Sequence, residues 1–97
     1  MSRISRVWAA VLSVSLLAAC VSVPVQEMSD ARQALESARE VGAARKAPAA
    51  MQEAEAWLRR ADQDLEEGFY RRAREHARLA RDAARRAREQ ALGAAKP

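Results

Sequence analysis

The chain has 97 residues, 49% hydrophobic, 31% charged and only 4% aromatic, with a formal net charge of +4. Its single cysteine and single histidine exclude a disulfide framework within the chain and a Cys/His metal cluster. A chain of this size holds one domain at most, and so small a core supplies only about 3–5 kcal/mol, which favours a thin helical assembly over a globule with a deep pocket.

Arg3 and Arg6 are the only early charges, and residues 7–19, VWAAVLSVSLLAA, contain no charge, glycine or proline. A basic start, a short apolar run and small residues at its end describe a secretory signal, expected as a separate helix. Such a helix would extend about 20 Å, short of the roughly 30 Å bilayer core, so a transmembrane span is not expected. The run closes on Leu17-Ala18-Ala19-Cys20, which resembles the lipobox of bacterial lipoproteins: an aliphatic residue, two small residues and a cysteine. The resemblance implies cleavage before Cys20 and acyl chains such as palmitate carried on that residue. This covalent lipid is the only non-protein group expected, and it makes the membrane the first partner. More than one chain suits stable anchoring, because a single acyl chain holds only marginally. Val21, rather than Asp, would stand second in the mature chain, which by the lipoprotein sorting habit implies the periplasmic face of the outer membrane.

Residues 1–19 are thus read as the signal, 20–28 as the lipidated N-terminus and tether, and 29–97 as a helical domain. In the tether, VSVPVQEM, Pro24 discourages a helix. Ser29 or Asp30 can cap the first helix, and Ala31, Ala34, Leu35, Ala38 and Val41 follow with helical spacing. Gly42 lies near its end. Pro48 suits the first turn of a second helix, where its missing N–H would be unpaired anyway. Along that helix Met51, Ala54, Leu58, Ala61 and Leu65 recur as a coiled-coil seam, and Gly68 ends it.

The third helix, over residues 69–92, contains a repeat in sevens: RRAREHA (71–77), RLARDAA (78–84) and RRAREQA (85–91). Its seam is almost pure alanine: Ala73, Ala77, Ala80, Ala84, Ala87 and Ala91. If the last two helices fold back about Gly68, large residues meet alanines: Leu65 with Ala73, Leu58 with Ala80, Met51 with Ala87. On one flank Asp62 would then face Arg74, and Glu55 would face Arg81. The other flank, with Trp57, His76 and Ala83, is where the first helix is expected to pack. The fold class expected is therefore all-α: a signal helix plus a small three-helix domain with an antiparallel Ala-rich helical hairpin.

Charge is unevenly spread. Residues 21–67 hold ten acids and six bases, a net of −4, and residues 68–97 nine bases and three acids, a net of +6. Arg71, Arg78 and Arg85, one heptad apart, form a basic stripe that could hold an anionic envelope component such as peptidoglycan, lipopolysaccharide or an acidic protein. The alternative is a solvated face balanced by its acidic neighbour. Nucleic acid is a poor candidate, because no aromatic residues are interleaved for base stacking. No nucleophile–base arrangement, phosphate loop or metal spacing is present, so neither catalysis nor a small-molecule substrate is expected.

Gly68-Phe69-Tyr70-Arg71-Arg72-Ala73 resembles the turn between the helices of a tetratricopeptide repeat, but it covers a single hairpin, and a solenoid needs about three repeats. More broadly, the lipobox, SDARQALESAREVGAARKAP, the A-x3-L-x2-A spacing, GFYRRA and the Ala/Arg-rich helix resemble small bacterial lipoproteins that carry the domain of unknown function 4398. That resemblance implies a helical, envelope-located, non-enzymatic protein and supplies no activity. The function expected is a structural or adaptor role through helix–helix contacts, with itself or with an envelope protein.

Overall fold

The computed structural model describes residues 22–94. The signal segment, Leu17, Ala18, Ala19 and Cys20 lie outside the described residues. Among those described there are four helices and no strand: α1 (Val25–Glu40), α2 (Ala43–Lys46), α3 (Pro48–Glu66) and α4 (Tyr70–Ala94).

Helix α1 begins four residues ahead of the expected cap, so residues 25–28 of the anticipated tether are helical. Pro24, expected to discourage a helix, is its N-cap. There its lack of an N–H costs nothing, while its carbonyl accepts the first helical bond, from Met28 N–H at 3.0 Å. With φ −79° and ψ 60°, and Val25 N–H bonded to the Val23 carbonyl at 2.8 Å, Pro24 centres an inverse γ-turn. Its ring is buried, and so is Met28, which anchors this added turn in the core.

Gly42, at φ +80°, stops α1 and splits off the single turn α2. Pro48 occupies the first turn of α3, as its sequence predicts. Gly68, also at φ +80°, ends α3 with two reverse bonds: Gly68 N–H to the Leu65 carbonyl and Phe69 N–H to the Asp64 carbonyl. This is the Schellman arrangement, which satisfies carbonyls the helix leaves open.

Helix α4 is the centre of the molecule, packing extensively on both α3 and α1, whereas α1 and α3 touch little. Its seam is closed to solvent: Ala73, Ala77, Ala80, Ala84, Ala87 and Ala91 are fully buried, as is Ala83. All of these except Ala73 join Ala31, Leu35 and Ala38 of α1 and Met51, Ala54 and Ala61 of α3 in one cluster. Small residues let helix axes approach toward the near end of the usual 8–10 Å range. Leu58 and Leu65, expected in the seam, are only half-buried. Each buried methyl contributes on the order of 0.8 kcal/mol, so stability rests on many small contacts.

The flanks differ from expectation. Asp62 pairs with Arg32 of α1 at 2.8 Å, and Glu55 with Arg39 of α1 at 3.7 Å. Arg74 pairs with Glu27 of α1 at 3.2 Å, and Arg81 with its neighbour Asp82. Helix α1 therefore lies on the flank of Asp62, Glu55 and Arg74, not on that of Trp57 and His76. The physical reason is that α1 brings its own counter-charges. Arg32 and Arg39 share the seven-residue spacing of Glu55 and Asp62, so both pairs form together. Across the other flank, Glu53 pairs with Arg86 and Asp64 with Arg72.

Candidate functional site

Two polar features stand out, both set by the position of α4. The first is a knot between α3 and α4 around Asp64, a buried acid 6% exposed. His76 Nδ1 lies 2.6 Å from Asp64 Oδ2, and because a carboxylate accepts, the imidazole donates from Nδ1. Arg72 donates to Oδ1 at 3.2 Å. The indole of Trp57 lies beside the imidazole, ring centroids 5.3 Å apart, with Arg60 over the indole at 4.8 Å. Each carboxylate oxygen of Asp64 thus has a partner within the fold. The knot fixes how α3 sits on α4 next to the turn. Sequence reasoning missed it: Asp64 lies among several exposed acids, and only the seam register shows that it points inward.

The second feature is a shallow groove of about 490 Å³ between α1 and α4, lined by Asp30, Gln33, Ala34 and Ser37 from one side and Arg85 and Arg88 from the other. Arg85 and Arg88, three residues apart, project from the same face of α4. Neither is in an ion pair among the described residues, in contrast to Arg72, Arg74, Arg78, Arg81 and Arg86. Two guanidiniums beside a serine and a glutamine can receive a carboxylate or phosphate, against the opposing charge of Asp30 on the facing helix.

The stripe read from sequence does not converge on one site. Arg71, Arg78 and Arg85 point the same way but stand roughly 10 Å apart along the helix. Arg78 approaches Glu27 at 3.9 Å, Arg71 sits in the first turn, and only Arg85 lines the groove. Its groove partner is Arg88, which the stripe omitted, because α1 rather than heptad spacing decides which arginines share a cleft. Among the described residues no group of three or more His, Cys, Asp or Glu side chains is placed to hold a metal ion, and no helix is long and apolar enough to cross a membrane.

The described residues define a small all-α domain with an alanine-rich core and an arginine-rich central helix. Residues 26–96 match the family described as a domain of unknown function (DUF4398), and the chain belongs to that family. No curated protein and no solved structure matches it.

Proposed function

We propose that the chain is a lipid-anchored envelope protein with a non-catalytic structural or adaptor role, exercised through helix–helix contacts. The observation that carries this reading is Leu17-Ala18-Ala19-Cys20, placed directly after a charged start and an uncharged apolar run. In this reading residues 1–19 are removed, Cys20 carries the lipid, and the domain stands on the periplasmic face of the outer membrane, bound to a second copy or to an envelope protein. Helices α3 and α4 form an antiparallel alanine-rich hairpin about Gly68. The pairing of Asp64 with Arg72 and of Glu53 with Arg86 supports that direction. The turn at Gly68 is read as that of a single tetratricopeptide-like hairpin, with no solenoid groove. The fitted polar knot around Asp64 agrees with a scaffold more than with a reaction centre.

A second reading is favoured by the groove: Arg85 and Arg88 would hold an anionic envelope component, with Ser37 and Gln33 as further donors. In-cell photo-crosslinking separates the two. A photoreactive residue replaces Leu79, an exposed apolar side chain of α4, or Gln33 in the groove. A discrete protein adduct from Leu79, persisting at high salt, supports the adaptor. Adducts to glycan or lipopolysaccharide from Gln33, lost between about 0.15 and 1 M salt, support the anion-binding reading, since screening acts on exposed charges. No adduct from either position, in cells where the protein is abundant, sinks both.

A further inference from the structure

We infer that the end of the bundle formed by Val23, Val25 and the Gly68–Arg72 turn is a membrane-contacting surface that rests in the headgroup layer of the bilayer holding the Cys20 anchor. This rests on the lipid anchor proposed above.

The first argument is the length of the leash. The sequence reads as a nine-residue tether, but the fold takes most of it. Pro24 is buried and Val25 opens α1. Arg74 of α4 donates to the Ser22 carbonyl at 3.3 Å and pairs with Glu27, which fixes the incoming chain against the first turns of α4. From Cys20 to Ser22 an extended chain spans only about 7 Å. An anchor in the bilayer therefore holds this end of the bundle at the interface and leaves no room for a partner between them.

The second argument is what that end exposes. Among the described residues the exposed large apolar side chains are Val25 at 69%, Phe69 at 50%, Val23 at 45%, Leu79 and Leu92. The three most exposed all lie at this end, because the inverse γ-turn buries Pro24 while its neighbours face outward. Burying them against the protein's own core would be the ordinary outcome for such residues, and a lipid interface removes the same area from water.

The third argument is the company they keep. Phe69 and Tyr70 are followed by Arg71, which is in no ion pair among the described residues, and by Arg72, whose guanidinium lies 4.4 Å over the Phe69 ring. Aromatic rings with adjacent arginines suit the headgroup layer, where a ring is half-wet and a cation meets anionic lipid. Glu66 and Glu67 share the turn, which fits contact at headgroup depth and not insertion into hydrocarbon.

Placed this way, α4 stands away from the membrane, and the groove at Arg85 and Arg88 lies about 25 Å above Phe69 along the helix. The groove then faces envelope components at a distance from the lipid surface.

The test uses the full chain, matured in membranes and reconstituted into phosphatidylethanolamine vesicles containing phosphatidylglycerol. Spin labels are placed through Phe69→Cys, Val23→Cys and Gln90→Cys. A lipidated Cys20 takes no label, and the mass of the mature chain reports the anchor independently. The expected result is loss of collisions with a water-soluble nickel chelate at positions 69 and 23, gain of collisions with oxygen there, and full aqueous access at position 90. The Val23 site covers the case in which a label at Phe69 disturbs the turn. With the anchor mass present, equal aqueous access at 23, 69 and 90 overturns the inference and leaves the anchor standing. Spin–spin broadening at position 69 overturns it in favour of contact with a second copy. An unmodified Cys20 overturns the inference and the anchored reading together.

Discussion

Gly68 combines a left-handed backbone with open space: a Cβ built there meets nothing within 4 Å. The cost of Gly68→Ala is therefore conformational, about 1–2 kcal/mol for a non-glycine residue held in that region. Thermal unfolding should show Tm falling by roughly 4–8 °C per kcal/mol for a domain of this size. An unchanged Tm would mean that the turn relaxes out of the Schellman geometry. Asp64 tests the polar knot. Asp64→Ala removes the acceptor for His76 and Arg72 and should destabilise the domain by about 1.5–3 kcal/mol in urea unfolding, the range for bonds to charged groups. Asp64→Asn keeps an acceptor and should lose less; equal losses for the two variants would show that packing, not the bonds, gives Asp64 its weight. His76 reads in the sequence as a solitary surface or structural residue, and the fold makes it structural, because the α4 register aims it at Asp64.

At the scale of the elements, the last two helices are the most legible part of the chain. Pro48 and Gly68 bracket α3, and the heptads of residues 71–91 name the alanines that the fold buries. The seam tolerates no bulk: Ala80 is fully buried, and Ala80→Phe should overpack it at a cost of about 1–3 kcal/mol, read as a lowered urea midpoint. A variant of unchanged stability would show that α4 can rotate away from its neighbours. The first helix was less legible. Ser29 and Asp30 are good capping residues and Pro24 reads as a stop, whereas an N-cap needs no N–H and uses the Pro24 carbonyl. The packing side of α1 differs from the expected one because the flank charges of α3 and α4, complementary to each other in the sequence, pair with α1 instead. The heptad spacing of Arg32 and Arg39 was the signal available, and it matches Asp62 and Glu55.

Across the whole molecule, the basic excess of α4 is largely answered from within. Of its eight arginines, five are in ion pairs and Arg71, Arg85 and Arg88 are not, among the described residues. Exposed pairs contribute only about 0–1 kcal/mol each, so their main effect is to select which helix lies where. The excess positive charge is thereby concentrated at two places, the turn at Arg71 and the groove at Arg85 and Arg88. The proposed anchor makes a prediction at this scale. Cys20→Ala should leave the precursor uncleaved by the lipoprotein peptidase and shift its mass upward by the retained signal, as read by intact mass spectrometry. A Cys20→Ala chain processed at the same bond would refute the lipid anchor.

The sequence by itself determined the all-α class, the start of α3 at Pro48, the turn at Gly68 between α3 and α4, the alanine seam and the family, because helical periodicity, proline and glycine act within a few residues of themselves. The tertiary structure alone decided which flank α1 covers, that Asp64 is buried against His76, and that Arg85 shares a groove with Arg88 instead of a stripe with Arg71. These depend on the rotation of one helix against another. Side chains far apart in the chain set that rotation by packing and charge pairing, and a pattern within one helix, such as the spacing of Arg32 and Arg39, does not by itself choose among the charge pairings open to it.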